Sequence, residues 1–248
     1  MNETIKTQLD HRTIRKFLNE EVSQDDFNTL IEVAQRTATS NFMQSYSIIQ
    51  VTDQSLKDEI AKICNQTYVA EAPCLLIFVA DQHRNHQIAA EENQNTDVLA
   101  QFDRFMVAMT DACLAAQNVV VAAESLGYGT VYLGSIGNDS QKMVELLNLP
   151  DYVFPVLGLG IGKPAEAPSQ KPRLPKEVVL HTNSYETTEN IHEALADYDA
   201  LVETYYDSRD TNNRLDSFTK QIVTGMSRQL AKRKDLLENA KKQGFILK

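Results

Sequence analysis

Between Phe102 and Ala123 the apolar residues Phe102, Met106, Met109, Cys113, Ala116, Val120 and Ala123 recur at steps of three and four. Val107, Leu114, Val119 and Val121 fill the turns between them. A helix this apolar on nearly every side must be surrounded by protein, so the spacing predicts one long central helix. Gly127, which reaches left-handed backbone without steric cost, is its natural stop. Asp111, Gln117 and Asn118 fall inside the greasiest part, Phe105 to Ala123, which argues for a buried helix rather than a membrane span. Such a helix needs a sizeable core around it, and 248 residues of which 42% are apolar can build one.

The remaining elements follow from the same patterning. Cys74–Ala80, a continuous apolar run between Pro73 and Asp81, predicts a strand covered on both faces. Tyr46–Val51, Thr130–Leu133 (entering a turn at Gly134) and Val153–Ile161 read as further strands. Helices are expected over the first ten residues with Ile5 and Leu9 inward, after the capping stretch Ser23-Gln24-Asp25-Asp26, over Ser55–Cys64 and over Ser140–Leu147. Beyond Lys171, Pro-bearing extended segments lead to polar helices around 190–206, 216–229 and 234–243. These look too polar to form their own core and should pack on the main body or a partner subunit. With no repeat or low-complexity linker, the division expected is one domain, residues 1–170 forming its core and 171–248 a C-terminal extension.

Charge limits the partners. Twenty-four Lys and Arg stand against 34 Asp and Glu, a net −10. That balance disfavours binding to nucleic acid or to a membrane surface, and any bound anion must be held by a few placed cations. Three cysteines, an odd number without a close pair, indicate a reducing interior. The amino end lacks the apolar block of a signal peptide, so a cytoplasmic location is expected.

Several motifs reduce to packing. In Gly158-Leu-Gly-Ile-Gly162-Lys163-Pro164 the lysine precedes Pro rather than the Ser or Thr that binds magnesium, so no phosphate loop is present. Its alternate glycines suit close approach of another backbone. His83 and His86 lack further ligands in register, which leaves a polar helix face and no metal site. Cys64, Cys74 and Cys113 sit in apolar patterns that suggest buried packing. Arg228, Lys232, Arg233, Lys234, Lys241 and Lys242, interleaved with acids, read as a solvated face. Two segments hold more promise. In an extended backbone His11, Thr13 and Arg15 point one way and form a row of donors. Lys171-Pro172-Arg173 places two cations at i and i+2 on a stiffened backbone, suited to a phosphate.

These segments belong to a larger set: H-R-T-I-R-K-F at 11–17, T-S-N-F-M-Q at 39–44, N-Q-T-Y-V at 65–69, G-T-V-Y-L-G at 129–134, K-P-R-L-P at 171–175 and Y-Y-D-S-R-D-T-N-N-R at 205–214. In this order, over nearly the whole chain, they resemble the flavin-dependent nitroreductase superfamily. The resemblance is nearer to its NADPH-linked flavin reductase and oxygen-insensitive nitroreductase branch. It implies an α+β, three-layer α-β-α fold, with a mixed, mostly antiparallel sheet around a long central helix and a helical C-terminal extension. It also implies a homodimer that binds FMN and passes a hydride from NADPH or NADH to nitroaromatics, quinones or free flavin in a ping-pong cycle.

Carried over by position, His11, Arg12, Thr13, Ile14 and Arg15 form the first flavin-binding segment, with Arg15 near the N1/O2 edge. Thr39 and Ser40 match hydroxyls near the phosphate and ribityl chain. Gln66, Thr67 and Tyr68 lie by the pyrimidine edge, and Tyr132, Leu133, Gly134 and Ser135 form the turn whose N–H groups face N5. Lys171, Pro172 and Arg173 match the phosphate-binding segment, and Arg209 and Arg214 match cations for the 2′-phosphate of NADPH. No acid/base pair or nucleophile of the protein's own is expected, because the flavin carries the electrons. Two departures stand out: Thr13 replaces the commoner serine, and Phe218 lies where Trp is frequent. Alternatives that keep the fold are another acceptor, as in dehalogenating or flavin-cleaving relatives, or flavin binding without catalysis.

Overall fold

A computed structural model describes residues 1–207, 216–226 and 231–246. In chain order the elements are α1 (Glu3–Leu9), α2 (Gln24–Gln35), β1 (Tyr46–Val51), α3 (Gln54–Cys64), α4 (Tyr68–Glu71), β2 (Cys74–Asp81), α5 (His83–Glu91) and α6 (Phe102–Ser125). There follow β3 (Gly129–Leu133), α7 (Ser140–Leu146), β4 (Val153–Gly162), α8 (Lys176–Val179), α9 (Ile191–Ala194), α10 (Ala196–Asp207), α11 (Phe218–Met226) and α12 (Leu236–Lys242). Two compact units form: one from residues 1–168 and the closing segment 231–246, the other from the described residues of 169–229.

In the first unit a four-stranded sheet runs in the order β1-β2-β4-β3, every ladder antiparallel. The continuous apolar run is its centre: β2 pairs with β1 from Tyr46↔Ala80 to Val51↔Leu75 and with β4 from Cys74↔Ile161 to Asp81↔Val153, and all eight of its residues are buried. Alternation along β2 sends Leu76 and Phe78 toward α2 and α6, where they meet Leu30, Ala34, Ala112 and Val119. Leu75, Ile77 and Val79 face the other way, onto Ile60 of α3, Val69 of α4 and Met143 of α7. The result is the expected three-layer α+β arrangement. Each such buried side chain contributes about 1.5–3 kcal/mol, so the sheet is fixed by both helical layers at once.

The caps explain where the helices begin and end. Ser23 Oγ accepts from the Asp26 N–H at 3.1 Å and starts α2, and Asp53 Oδ1 accepts from the Leu56 N–H at 2.8 Å and starts α3. Asn65, at φ 52°, closes α3, and Gly127, at φ 83°, follows α6.

Some sequence expectations need correction. Ile5 and Leu9 do not turn inward: α1 forms beside α6, yet they are 44% and 60% exposed. Nor is α6 surrounded within one chain. It buries Ala108, Ala112, Ala115, Ala116, Val119 and Val120, while Phe102, Met106 and Leu114 are about half exposed along the opposite stripe. By length and composition α6 could cross a membrane, but its small residues pack against the sheet. Cys113 lies on the outer stripe and is exposed, unlike Cys64 and Cys74. The β4 glycines admit side chains rather than a backbone: an added Cβ would lie 3.1 Å from Leu133 Cβ at Gly158 and 2.7 Å from Pro73 Cδ at Gly162. Lys163, beyond them, pairs with Glu20 at 2.6 Å.

The polar tail also behaves differently from its composition. The second unit has a small core of its own, in which Leu195, Tyr198, Val202 and Tyr206 pack with Leu174, Val178 and Phe218. Segment 231–246 belongs instead to the first unit, where Ala240 and Phe245 join Phe105 and Phe154. Gln243 fastens it there, its amide donating to the carbonyls of Leu149, Pro150 and Val153.

Candidate functional site

Four residues of α6, Asp111, Gln117, Asn118 and Glu124, hold three of the segments singled out in the sequence. Glu124 comes first. Its Oε1 accepts from His11 Nδ1 and from Thr130 Oγ1, both at 2.7 Å. A carboxylate only accepts, so His11 donates from Nδ1. The segment 11–17 is stitched beside the sheet by a parallel bridge Thr13↔Thr130 and an antiparallel bridge Phe17↔Pro164. The Ile14 N–H donates to the Thr130 carbonyl at 2.9 Å.

Alternation then sorts the side chains. Ile14, 6% exposed, is buried against Gly129, so of this residue only the backbone can serve a ligand. Arg12 donates to the Asp10 carbonyl at 2.7 Å. The Arg15 guanidinium is exposed and in no ion pair among the described residues. Glu166 Oε1 takes the backbone N–H groups of Arg15 and Lys16 at 2.8 and 3.2 Å and fixes the chain beneath that cation.

Gln117 marks the next contact. Its Oε1 accepts from the Tyr132 hydroxyl at 3.2 Å, and burial holds that phenol well above its ordinary pKa, so it remains a neutral donor. Leu133 is buried, but at Gly134 an added Cβ would meet nothing within 4 Å, which leaves open space over this backbone. Ser135 Oγ donates to Gln66 Oε1 at 2.8 Å and ties the turn to the 65–68 segment. Thr67 and Tyr68 begin α4 there, and a cleft of about 520 Å³ is lined in part by Asn65, Gln66 and Thr67. Arg233, assigned from sequence to a solvated face, donates to the Gly134 carbonyl at 3.3 Å.

Asn118 and Asp111 hold a separate group. Asn118 Nδ2 donates to Thr37 Oγ1 at 2.7 Å, and Asp111 accepts from the backbone of Ser40 and Ser45. Thirteen residues separate Asp111 from Glu124, about 20 Å of helix axis. Within one chain, Thr39 and Ser40 are therefore far from His11.

The second unit carries the remaining basic segment. Lys171 Nζ lies 5.9 Å from the centroid of the Tyr206 ring, and Arg173 Nη1 donates to the Lys171 and Pro172 carbonyls at 2.9 and 3.3 Å. Arg209, Arg214 and Arg228 lie outside the described residues. Among the described residues no group of His, Cys, Asp or Glu could hold a metal. His83 and His86 are instead absorbed locally, by the Asp151 carbonyl and the Tyr152 ring.

Comparison with known proteins turns this geometry into a lineage. The nitroreductase family matches residues 9–163, and the C-terminal domain of the same family matches residues 171–248. The chain belongs to the nitroreductase family. Among nitroreductase-family relatives, an NADPH-dependent oxidoreductase from Staphylococcus aureus is 39% identical over 242 residues, 95% of each chain. An FMN reductase (NADPH) from Bacillus subtilis is 38% identical over 248 residues, 99% of each chain. The structure of the NfrA1 nitroreductase from B. subtilis superimposes with a TM-score of 0.92 at 38% identity, over 98% of this chain and 99% of that one. The nitroreductase fold is thus established over both units.

Proposed function

We propose that this protein is an NADPH-dependent oxidoreductase that binds FMN and reduces free flavin, nitroaromatics or quinones. The observation that carries the reading is the similarity of the chain, from end to end, to an FMN reductase (NADPH); the open space over the Gly134 backbone supports it. When bound, FMN supplies the hydride relay between nicotinamide and acceptor in a ping-pong cycle.

The donor set fits such a group. The Arg15 cation stabilises negative charge on the pyrimidine edge better than mobile water can, because Glu166 has already fixed its backbone. Gln66, with Thr67 and Tyr68, completes that edge, and the Gly134 and Ser135 backbone serves the N5 side. Lys171 and Arg173 are assigned to the phosphate, and His11 to the first flavin-binding segment. Thr39 and Ser40 supply hydroxyls to the ribityl and phosphate end.

Two observations support a homodimer. About 20 Å of helix keeps Ser40 from His11 within a chain, and α6 leaves the apolar stripe of Phe102, Met106 and Leu114 exposed. A second copy docked on that stripe covers it and can bring its own Thr39 and Ser40 to the first copy's site.

The purified protein is expected to be yellow, to sediment as a dimer, and to bleach anaerobically with excess NADPH. Colour that persists with both NADPH and NADH would favour flavin binding without catalysis. Nucleotide choice is assigned to Arg209 and Arg214. Replacing both by Ala should raise KM for NADPH by at least about tenfold, since a charge-assisted hydrogen bond contributes about 1.5–3 kcal/mol, with little change for NADH. Equal effects on the two nucleotides would remove the 2′-phosphate role.

A further inference from the structure

Asp111 sits at the middle of α6 and is 2% exposed. A buried carboxylate is costly unless its oxygens are hydrogen-bonded, and here both are used by one loop. Oδ1 accepts from the Ser40 N–H at 3.2 Å and Oδ2 from the Ser45 N–H at 3.1 Å, so one side chain pins both ends of residues 40–45. Between the pins Asn41, Phe42 and Gln44 take φ values of 51°, 59° and 49°. Residues with a β-carbon adopt that left-handed backbone only where their surroundings hold them. Among the described residues no ion pair balances the Asp111 charge, and the two amides are what its oxygens accept from.

We infer that Asp111 is a positioning residue for flavin binding, acting through the 40–45 loop to set Thr39 and Ser40 in place. The inference rests on the flavin reading above, and it assigns Asp111 no contact with the cofactor. Asn in its place keeps one acceptor but turns an N–H against an N–H, which releases one end of the loop.

The test is a cycle of D111N, T39A/S40A and the triple variant, read by the FMN dissociation constant and by amide exchange. D111N should weaken FMN about tenfold and speed exchange at Ser40 and Ser45 by a similar factor, while the amides of β2 are unchanged. T39A/S40A should cost clearly less in D111N than in the wild-type background, because the hydroxyls are already displaced; a purely structural Asp111 would give additive effects. FMN binding by D111N within twofold of wild type, or additivity, overturns the inference. Should D111N fail to fold, amide exchange in the wild-type protein decides: Ser40 and Ser45 must be protected relative to Gln44, and equal exchange overturns the proposal. Wild-type protein that takes up no FMN overturns the flavin reading instead, and is seen before any variant is made.

Discussion

Protein carrying both Lys171→Ala and Arg173→Ala is expected to purify colourless. Each side chain is assigned a charge-assisted contact with the FMN phosphate, worth about 1.5–3 kcal/mol. Together they account for about 3–6 kcal/mol, or roughly a 140- to 20,000-fold rise in the dissociation constant. The fold should survive, because the core of the unit is made by Leu195, Tyr198, Val202 and Tyr206, which Lys171 meets only through its Nζ, 5.9 Å from the centroid of the Tyr206 ring. Lys163→Ala is the control: it removes one positive charge, but from an exposed pair with Glu20, and exposed pairs contribute about 0–1 kcal/mol. Absorbance of the purified proteins and an FMN titration measure the difference. A double variant that keeps a full flavin complement would remove the phosphate assignment.

Gly129→Ala is expected to damage stability and flavin binding together. The new Cβ would lie 2.5 Å from Ile14 Cγ1 and 2.6 Å from Ile14 Cβ. These atoms sit at the root of a branched side chain, so no rotamer change clears them and the backbone must move. The Ile14 N–H then loses the Thr130 carbonyl, and His11, Thr13 and Arg15 shift with it. Overpacking of this kind costs about 1–3 kcal/mol, equivalent to a fall of roughly 2–12 °C in Tm for a chain of this size. Gly225→Ala, where an added Cβ meets nothing within 4 Å, should leave Tm nearly unchanged. Thermal unfolding and FMN titration of both variants supply the check. Wild-type stability in Gly129→Ala would show that the 11–17 segment is not wedged against β3.

The strands and the longer helices were legible because their periodicity is local. Cys74–Ala80 reads as a doubly covered strand, and Ser23 announces α2 through a cap that the structure contains at 3.1 Å. Exposure was less legible: nothing in the pattern of α6 distinguishes Ala112, packed on the sheet, from Leu114, left on the outer stripe. The three carboxylates Asp111, Glu124 and Glu166 went unread for a different reason. Each holds a site segment 71, 113 or 151 residues away in sequence, through backbone N–H groups or an imidazole. Spacing carries no trace of such pairings. The surplus of acid that argued against generic anion binding thus includes the groups that fix the basic segments. Arg233 is exposed, as a solvated face requires, and its contact with the carbonyl of Gly134 is another that spacing does not announce.

The return of residues 231–246 to the first unit makes the intervening 169–229 an excursion from a body that closes behind it. During synthesis the sheet and its helices can assemble early, but the cluster of Phe105, Phe154, Ala240 and Phe245 is completed only when the far end of the polypeptide has emerged. Between those two moments Phe105 and Phe154 await their cover, a window in which the nascent chain is open to chaperones and to mispairing with its neighbours.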